Sequence, residues 1–303
     1  MSKRKKYDDV NGWIIIDKPR DMTSNMVVNI TRRIFNANKN GHTGTLDPFA
    51  TGVLPIAFGE ATKLIPFVTD GEKEYEFIVK WGASTNTDDS EGDVIASTNN
   101  IPTKAEILKT IPCFIGKIKQ IPPMYSAIKI NGERAYSLAR QGQEVDMPER
   151  EIEIYDLELL EMLPDNSSKF RVRCSKGTYV RTLGKDIALK LGSLGYLKEL
   201  RRTKCGVFSL NDKILLESLK NMVYKEELAR VLLPIETSLR DIAVIAVSEG
   251  DAAKLKQGQR ISPKNYDAGH LIGSGAVAVF NDNLVAIVGV EESRISPLRV
   301  FNI

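Results

Sequence analysis

Hydrophobic and polar positions alternate in some stretches of this chain and follow helical spacing in others. Residues 12–17 form an apolar run typical of a buried strand, and alternation predicts further strands at 74–82, 152–161 and 169–175. After Thr23, apolar side chains recur every three or four residues, which predicts an amphipathic helix. Strands and helices are mixed along one chain, so the pattern predicts an α+β fold.

Further elements follow in the second half of the chain. The helical pattern returns at 178–191, where Gly192 provides a typical C-terminal stop. A short helix is predicted after Ser248, and two strands are predicted at 276–280 and 284–290. We place a domain boundary near residue 240, ahead of this last group of elements.

Between the first predicted helix and the next strands, residues 36–52 have the composition of a long irregular loop. Glycine stands at 41, 44 and 52, Pro48 fixes the backbone after Asp47, and Asp47 is the only acid. Long loops in compact domains are usually functional or disordered. Two interpretations of Asp47 stay open from the residues alone: an Asx turn or helix N-cap, or a rigidly held carboxylate suited to nucleophilic attack.

Two other segments carry residues that could take part in catalysis or binding. Tyr179 and Arg181 stand at a predicted strand-to-helix junction, where Arg181 is either a solvated first-turn residue or a guanidinium that pairs with a carboxylate or phosphate. Tyr75 lies among charged residues but shares a strand face with Phe77 and Val79. That face favours core packing for Tyr75, with stacking on a nucleobase as the alternative.

Composition and charge limit the classes of protein to consider. The 303 residues carry 42 Lys and Arg against 39 Asp and Glu, a net charge of +3, and this length favours two domains. No apolar run is long enough to span a bilayer and the basic N-terminus lacks a secretory apolar segment, so we expect a cytoplasmic protein without a membrane partner. Three widely spaced cysteines and two distant histidines predict neither a disulfide framework nor a metal site.

Five short motifs together resemble one known family. They occur in the family's order across roughly residues 11–210, and their joint agreement is far more specific than any one of them. They read DKPRDMTS at 17–24, GHTGTLDPFATG at 41–52, KEY at 73–75, PMYSA at 123–127 and GTYVR at 177–181. This set resembles the TruB family, the bacterial tRNA pseudouridine-55 synthases.

The resemblance implies a fold and a domain plan. It implies a catalytic domain of the pseudouridine synthase type at 11–240, with a mixed, largely antiparallel sheet and a thumb insertion at about 124–150. Residues 241–303 resemble a small PUA-like, RNA-binding β-domain, and residues 1–10 form a basic tail outside the family match. The C-terminal domain has few basic residues, so we expect it to contribute little to RNA binding and its removal to be tolerated.

The reaction that the resemblance implies isomerises uridine 55 in the T-loop of tRNA to pseudouridine. The N1–C1′ bond breaks and the sugar rejoins the base at C5, so reactant and product contain the same atoms and no cofactor or metal is required. By resemblance Asp47 is the catalytic carboxylate, Arg181 pairs with it and stabilises its ionised form, and Tyr75 stacks on the target base. Attack on the uracil and attack on C1′ both stay open.

The resemblance also assigns substrate-binding positions. It places His42 against RNA vacated by the flipped nucleotide, Tyr179 and Leu200 in the lining of the uracil pocket, and Lys18 in the support beneath the Asp47 segment. A histidine that bonds to its own loop backbone is the alternative for His42. The implied partner is the T-arm, or elbow, of tRNA, bound by a monomer that needs no protein partner.

Two other functions would use the same surface. One is a non-catalytic protein that binds or folds tRNA, which the intact Asp47, Tyr75 and Arg181 argue against. The other is a guide-RNA-dependent relative that works inside a ribonucleoprotein, and the lack of long basic extensions favours the stand-alone enzyme.

A group of basic residues in the second half of the chain is a candidate for binding RNA phosphates. Such charges would make RNA affinity sensitive to salt, and a merely solvated surface is the alternative. The group comprises Arg171, Arg173, Lys176, Lys198, Arg201, Arg202 and Lys204.

Overall fold

The computed structural model describes residues 7–126, 128–130, 132–135, 138, 146–240, 242–273 and 275–303. Residues 1–6 of the predicted basic tail lie outside the described residues, as do residues 127, 131, 136, 137 and 139–145 of the predicted thumb. Within the thumb, Lys129–Ile130 and Glu133–Arg134 pair as a short antiparallel hairpin.

The strands and helices have the following bounds. The strands are β1 (Gly12–Lys18), β2 (Asn40–His42), β3 (Thr51–Phe58), β4 (Lys73–Trp81), β5 (Ala83–Thr85), β6 (Val94–Ser97), β7 (Gly116–Gln120), β8 (Lys129–Ile130), β9 (Glu133–Arg134), β10 (Arg150–Leu163), β11 (Ser167–Cys174), β12 (Gly195–Cys205), β13 (Phe208–Ser209), β14 (Ile214–Leu215), β15 (Val244–Ala246), β16 (Gly275–Phe280), β17 (Asn283–Val290) and β18 (Ile295–Val300). The α-helices are α1 (Ser24–Ile34), α2 (Ile65–Asp70), α3 (Lys104–Thr110), α4 (Val180–Lys190), α5 (Leu216–Lys220), α6 (Lys225–Val231) and α7 (Glu249–Lys256). Across the described ranges, no helix is both long enough and apolar enough to cross a membrane.

One large sheet forms the centre of the fold. Its strands follow the order β14-β1-β3-β12-β4-β11-β10-β7, with β2 paired to β3 and β13 paired to β12. Neighbouring strands are antiparallel except in the pairs β1–β14 and β3–β12, which are parallel. The prediction of an α+β fold with a mixed, largely antiparallel sheet is confirmed.

A second, four-stranded sheet occupies the C-terminal part of the chain in the order β15-β16-β17-β18. Its first strand begins at Val244, close to the boundary that the sequence suggests near residue 240. The side chain of Ser248 accepts a hydrogen bond from the backbone N–H of Asp251 and so starts α7 where the capping pattern predicts a helix.

The ends of the first and fourth helices matter for the position of the candidate site. The Thr23 side chain accepts a hydrogen bond from the Met26 N–H at 3.1 Å, which fixes the start of α1. Helix α4 begins directly after Tyr179 and therefore carries Arg181 in its first turn. The arginine consequently lies at a helix end next to the sheet rather than along an exposed helix face.

The irregular loop predicted at 36–52 is shorter in the structure. Residues Asn40–His42 form β2 and pair with β3, so the irregular part is divided into residues 36–39 and residues 43–50, and we call the second segment the Asp47 loop. Leu46, Phe49 and Ala50 of this loop are buried in the main apolar core between the sheet and its helices. The loop is therefore anchored by three apolar side chains around the half-buried turn that carries Asp47.

A second apolar cluster joins the two sheets. Trp13 and Phe208 of the large sheet lie with their rings 5.2 Å apart, and Leu284, Ile287 and Phe301 of the C-terminal part are buried in the same cluster. Removing the C-terminal part would expose these large apolar surfaces to water. The shared cluster therefore argues against the expectation that its removal is tolerated.

Replacing Phe301 with alanine tests this shared cluster. Phe301 is fully buried, so we expect Phe301→Ala to lower the free energy of unfolding of the whole chain by about 3–5 kcal/mol. Leu298→Ala, at a side chain that is 52 % exposed in β18, the strand that ends just before Phe301, is the matched control and should change it by less than about 0.5 kcal/mol. Chemical denaturation measures both variants, and equally small losses would contradict a stabilising role for the cluster.

Candidate active site

Residues outside the Asp47 loop form hydrogen bonds with its backbone and hold it in place. The Ser24 hydroxyl accepts from the Leu46 N–H at 2.8 Å and donates to the Leu46 carbonyl at 3.0 Å. The Pro48 carbonyl accepts from Lys18 Nζ at 3.1 Å and from the Asp21 N–H at 2.9 Å. The residues on both sides of Asp47 are thus fixed, which limits the directions its carboxylate can take.

Lys18 lies at the end of β1, beneath this loop. Its side chain is fully buried, and Nζ also donates to the carbonyls of Pro19 at 2.9 Å and Met22 at 2.6 Å. Burial lowers the pKa of Lys18 to about 8, while the charge of Asp47 acts in the opposite direction. Lys18 thus occupies the supporting position that the resemblance implies, with its amine turned to backbone carbonyls inside the protein.

Asp47 and Arg181 form an ion pair at the mouth of the site. Arg181 Nε lies 3.0 Å from Asp47 Oδ2, with the arginine side chain 4 % exposed and the aspartate side chain 34 % exposed. The Nε–H is not aligned as a hydrogen bond to the carboxylate, so the contact is mainly between charges. The predicted pair is therefore formed, and Asp47 keeps an open surface.

Further contacts fix the Arg181 guanidinium on its other side. Nη1 contacts Asp89 Oδ2 at 3.2 Å and donates to the Thr87 carbonyl at 3.0 Å, and Nη2 donates to the Tyr125 carbonyl at 2.7 Å. Asp89 is itself buried and held by hydrogen bonds from the Thr87 hydroxyl and the Glu91 N–H. One arginine therefore lies between two carboxylates.

Sequence reasoning missed Asp89. Its segment is polar and acidic, with Asp88, Asp89, Glu91 and Asp93 close together, and such runs are usually solvated. Nothing in the spacing distinguishes the buried Asp89 from the other acids of this segment, because the partner Arg181 is 92 residues away. A turn in which Asp88 adopts a positive φ of 61° brings Asp89 inward.

Burial is the largest influence on Asp47 and raises the pKa of its carboxyl above the ordinary value. The positive charges of Arg181 and Lys18 lower this pKa, and the negative charge of Asp89 raises it. Arg181 therefore favours the ionised form, as the resemblance implies, but burial outweighs its effect. A carboxylate of raised pKa is a stronger base and nucleophile once it is ionised.

Tyr75 and Leu200 lie on the neighbouring strands β4 and β12. Tyr75 is opposite Arg202, and Phe77, two residues further on, is opposite Leu200. Tyr75 packs against the main apolar core, as its strand face predicts, and burial raises the pKa of its hydroxyl. Its hydroxyl is thus protonated and its ring is held by the sheet.

Tyr179 immediately precedes α4 and belongs to the same site. Gln120 fixes its backbone, with hydrogen bonds of 2.8 Å to the Tyr179 N–H and 3.1 Å to its carbonyl. Burial raises the pKa of Tyr179, and the charges of Asp47 and Arg181 both act on its hydroxyl. The structure therefore brings these three predicted residues together.

His42 ends β2 just before the Asp47 loop. Its Nδ1 accepts a hydrogen bond from the Gly44 N–H at 3.1 Å, which is the local backbone contact weighed as the alternative for this residue. Burial and the charge of Arg202 both lower the pKa of His42, so the imidazole is neutral near pH 7.

A cavity of about 320 Å³ opens beside the Asp47 loop. Phe49 of the loop and Thr51 at the start of β3 line it together with Phe77, Leu200 and Arg20. Asp47 is not among its lining residues, and charged side chains line much of the rest of it, including Glu76, Lys169 and Glu199. Leu200, predicted to line the uracil pocket, lies on this cavity wall.

Most of the basic residues proposed to bind phosphates are already paired. Arg201 contacts Asp17 through two nitrogens at 3.0 and 2.7 Å, and Arg202 is buried. The remaining ion pairs join Arg171 to Glu76 and Glu158, Arg173 to Glu72 and Asp156, Lys176 to Asp70, and Lys198 to Asp165. The solvated, ion-paired surface is thus the better interpretation of this group.

Comparisons with known proteins show the family of this chain. The family model for the N-terminal domain of TruB family pseudouridylate synthases matches residues 32–180, and the model for the C-terminal domain of tRNA pseudouridylate synthase B matches residues 181–240. A protein of Caulobacter vibrioides named tRNA pseudouridine synthase B is 44 % identical, covering 100 % of both chains. A protein of the same name from Rhodopseudomonas palustris is 46 % identical over 99 % of this chain and 83 % of that protein.

Solved structures show the same fold at lower identity. A structure of an H/ACA RNP bound to a substrate RNA containing 2′-deoxyuridine matches 96 % of this chain and 85 % of that chain, with a TM-score of 0.75 and 23 % identity. A Cbf5–Nop10–Gar1 complex matches 99 % of this chain and 91 % of that chain, with a TM-score of 0.74 and 24 % identity. The two family models, the full-length relatives and the shared fold together show that this chain belongs to the TruB family of pseudouridylate synthases.

Proposed function

We propose that this protein is a tRNA pseudouridine synthase that converts uridine 55 in the T-loop to pseudouridine, with Asp47 as the attacking carboxylate. The observation that carries the proposal is the partly open Asp47 carboxylate, held 3.0 Å from the buried Arg181 on a fixed loop. The full-length relatives named tRNA pseudouridine synthase B support tRNA as the substrate. The protein acts in the cytoplasm as a monomer on the tRNA elbow.

The residues of the site take separate parts in this reaction. The target uridine leaves the stack of its loop, and Tyr75, Tyr179 and Leu200 provide surfaces for the flipped base, which offsets part of the unstacking cost. Ionised Asp47 then attacks the uracil or the ribose C1′, and both routes break N1–C1′ and join C1′ to C5. The proton on C5 is released and N1 gains one, so the reaction needs no external reactant.

Arg181 contributes by position as much as by charge. Its contacts with Asp89, Thr87 and Tyr125 fix the guanidinium before substrate binds, so the ion pair with Asp47 does not have to form during the reaction. Asp89 is a positioning residue in this proposal, because it acts on Asp47 through the arginine.

Tritium release from tRNA tests the proposed reaction. Purified wild-type protein and Asp47→Asn are incubated with unmodified tRNA labelled with tritium at C5 of uracil, without added nucleotide or metal. We expect release by the wild type and a loss of about 10³-fold or more in Asp47→Asn, because an amide cannot act as the nucleophile.

A filter-binding measurement on the same two proteins provides the control. Asp47→Asn is nearly isosteric and should bind tRNA as the wild type does. If neither protein releases tritium although both bind tRNA, the catalytic proposal fails and a non-catalytic RNA-binding role takes its place.

Arg181→Lys tests the planar geometry of the cation. A lysine keeps the charge but cannot contact Asp47, Asp89 and two carbonyls at once, so we expect the single-turnover rate to fall by about 10²-fold. Lys190→Arg, in the last turn of the same helix and exposed, is the control for a change of cation and should keep the wild-type rate. A wild-type rate in Arg181→Lys would show that the fork geometry is not needed.

Asp89→Asn tests the charge balance through the pH dependence of the single-turnover rate. The rate requires ionised Asp47, whose pKa is raised, so the wild-type rate falls on acidification at a pH above the ordinary aspartate value of 3.8. Asp89 raises that pKa, and removing its charge lowers it, so the acidic limb should move to lower pH in Asp89→Asn. A limb that moves to higher pH would contradict this charge balance.

A further inference from the structure

The reaction described above gives no part to Arg202, a large buried cation. Arg202 lies on β12, between β3 and β4, and is 1 % exposed. Within the described part of the chain, its guanidinium is held by backbone carbonyls rather than by a carboxylate. A buried charge is costly unless hydrogen bonds replace its hydration, and these carbonyls supply such hydrogen bonds to Arg202.

The Arg202 side chain connects β3 to the Asp47 loop. Its Nε donates to the Val53 carbonyl at 2.8 Å and its Nη2 donates to the Gly44 carbonyl at 3.0 Å. Gly44 precedes Asp47 by three residues and Val53 follows it by six. One planar guanidinium therefore fixes the distance between the two ends of the segment that carries the carboxylate.

Two glycines, one on each side of Asp47 along the chain, pack against this same arginine. Gly52 has a φ of +103°, and a Cβ there would lie 2.2 Å from the Arg202 carbonyl oxygen. Gly44 has a φ of +152°, and a Cβ there would lie 3.4 Å from Nη1 of Arg202. Glycine is thus required at 52 by close approach to the Arg202 backbone, and the Arg202 side chain fills the space beside Gly44.

Arg202 also acts on the two aromatic residues next to the loop. It is the register partner of Tyr75 across β12 and β4, and its charge lowers the pKa of the Tyr75 hydroxyl against the larger, opposite effect of burial. Its charge likewise lowers the pKa of His42, which bonds to the backbone of Gly44. Loop, tyrosine and histidine therefore all lie within reach of one cation.

We infer that Arg202 is a positioning residue that fixes the Asp47 loop relative to Tyr75, so that carboxylate and aromatic ring meet the same uracil. The inference rests on the proposed function, because Asp47 and Tyr75 are the groups that it aligns. Arg202 is buried and acts through the loop backbone and the strand pair, without contact with the RNA. It was proposed from sequence as a phosphate-binding residue, a role that its burial contradicts.

Kinetics on two substitutions test the inference. Arg202→Met removes the charge and both hydrogen bonds, and Arg202→Lys keeps the charge but replaces the planar fork by one ammonium. We expect the single-turnover rate to fall by about 10²-fold in Arg202→Met and by less in Arg202→Lys, with tRNA affinity near that of the wild type. Arg294→Lys is the matched control. The Arg294 side chain is 42 % exposed and forms an ion pair with Glu291, so this variant should keep the wild-type rate.

The histidine signals give a readout that a loss of packing alone would not produce. His42 and His270 are the two histidines of the sequence, so each imidazole is resolved in an NMR titration. Arg202→Met should raise the pKa of His42, because the positive charge that lowers it is gone. Arg202→Lys should leave His42 closer to the wild-type titration.

Three results would overturn the inference. They are a wild-type rate in both Arg202 variants, a loss of tRNA affinity that accounts for the whole loss of rate, and an unchanged His42 titration in Arg202→Met. If Arg202→Met does not fold, the single-turnover rate and the tRNA affinity of Arg202→Lys test the inference. Wild-type protein that forms no pseudouridine would instead defeat the proposed function, and the His42 titration would still test the action of Arg202 on the loop.

Discussion

Protein largely surrounds the Asp47 carboxylate, so the proposed function requires the fold to keep this group ionised and to fix its direction. Much of the packing around the large sheet meets this requirement. Water would stabilise the charge but would leave the side chain free to move. The fold instead places Arg181 beside the carboxylate and buries Lys18 and Arg202 beneath its loop, where they bind the carbonyls on either side. Cations thus supply both the electrostatic support and the rigidity of the loop.

The charges around Asp47 partly offset one another. Arg181 is shared between Asp47 and Asp89, and the second carboxylate partly offsets the effect of the arginine on the first. A guanidinium with one carboxylate would hold Asp47 more firmly ionised but also less reactive, since its pKa would be lower. With Arg181 between Asp47 and Asp89, Asp47 is fixed in position while its pKa stays above the ordinary value.

The two sheets depend on each other in a similar way. The C-terminal sheet has few basic residues, yet Phe301 and Ile287 complete an apolar cluster against Trp13 on the back of the large sheet. Since β1 also carries Lys18 at its end, packing on this side supports the strand that holds the Asp47 loop. The C-terminal part thus has a structural role in this chain whatever it contributes to RNA binding.

The sequence alone determined the fold class and the family, and it predicted Asp47, Tyr75 and Arg181 as the site residues, because all three lie in motifs whose residues are neighbours along the chain. It did not reveal Asp89 or the part of Arg202, since an acid in a polar run and an arginine in a basic strand are usually exposed. Both are buried here by contacts across 92 and 158 residues. Only the tertiary structure decided which charges lose their water, because burial depends on strands and loops that meet from distant parts of the chain.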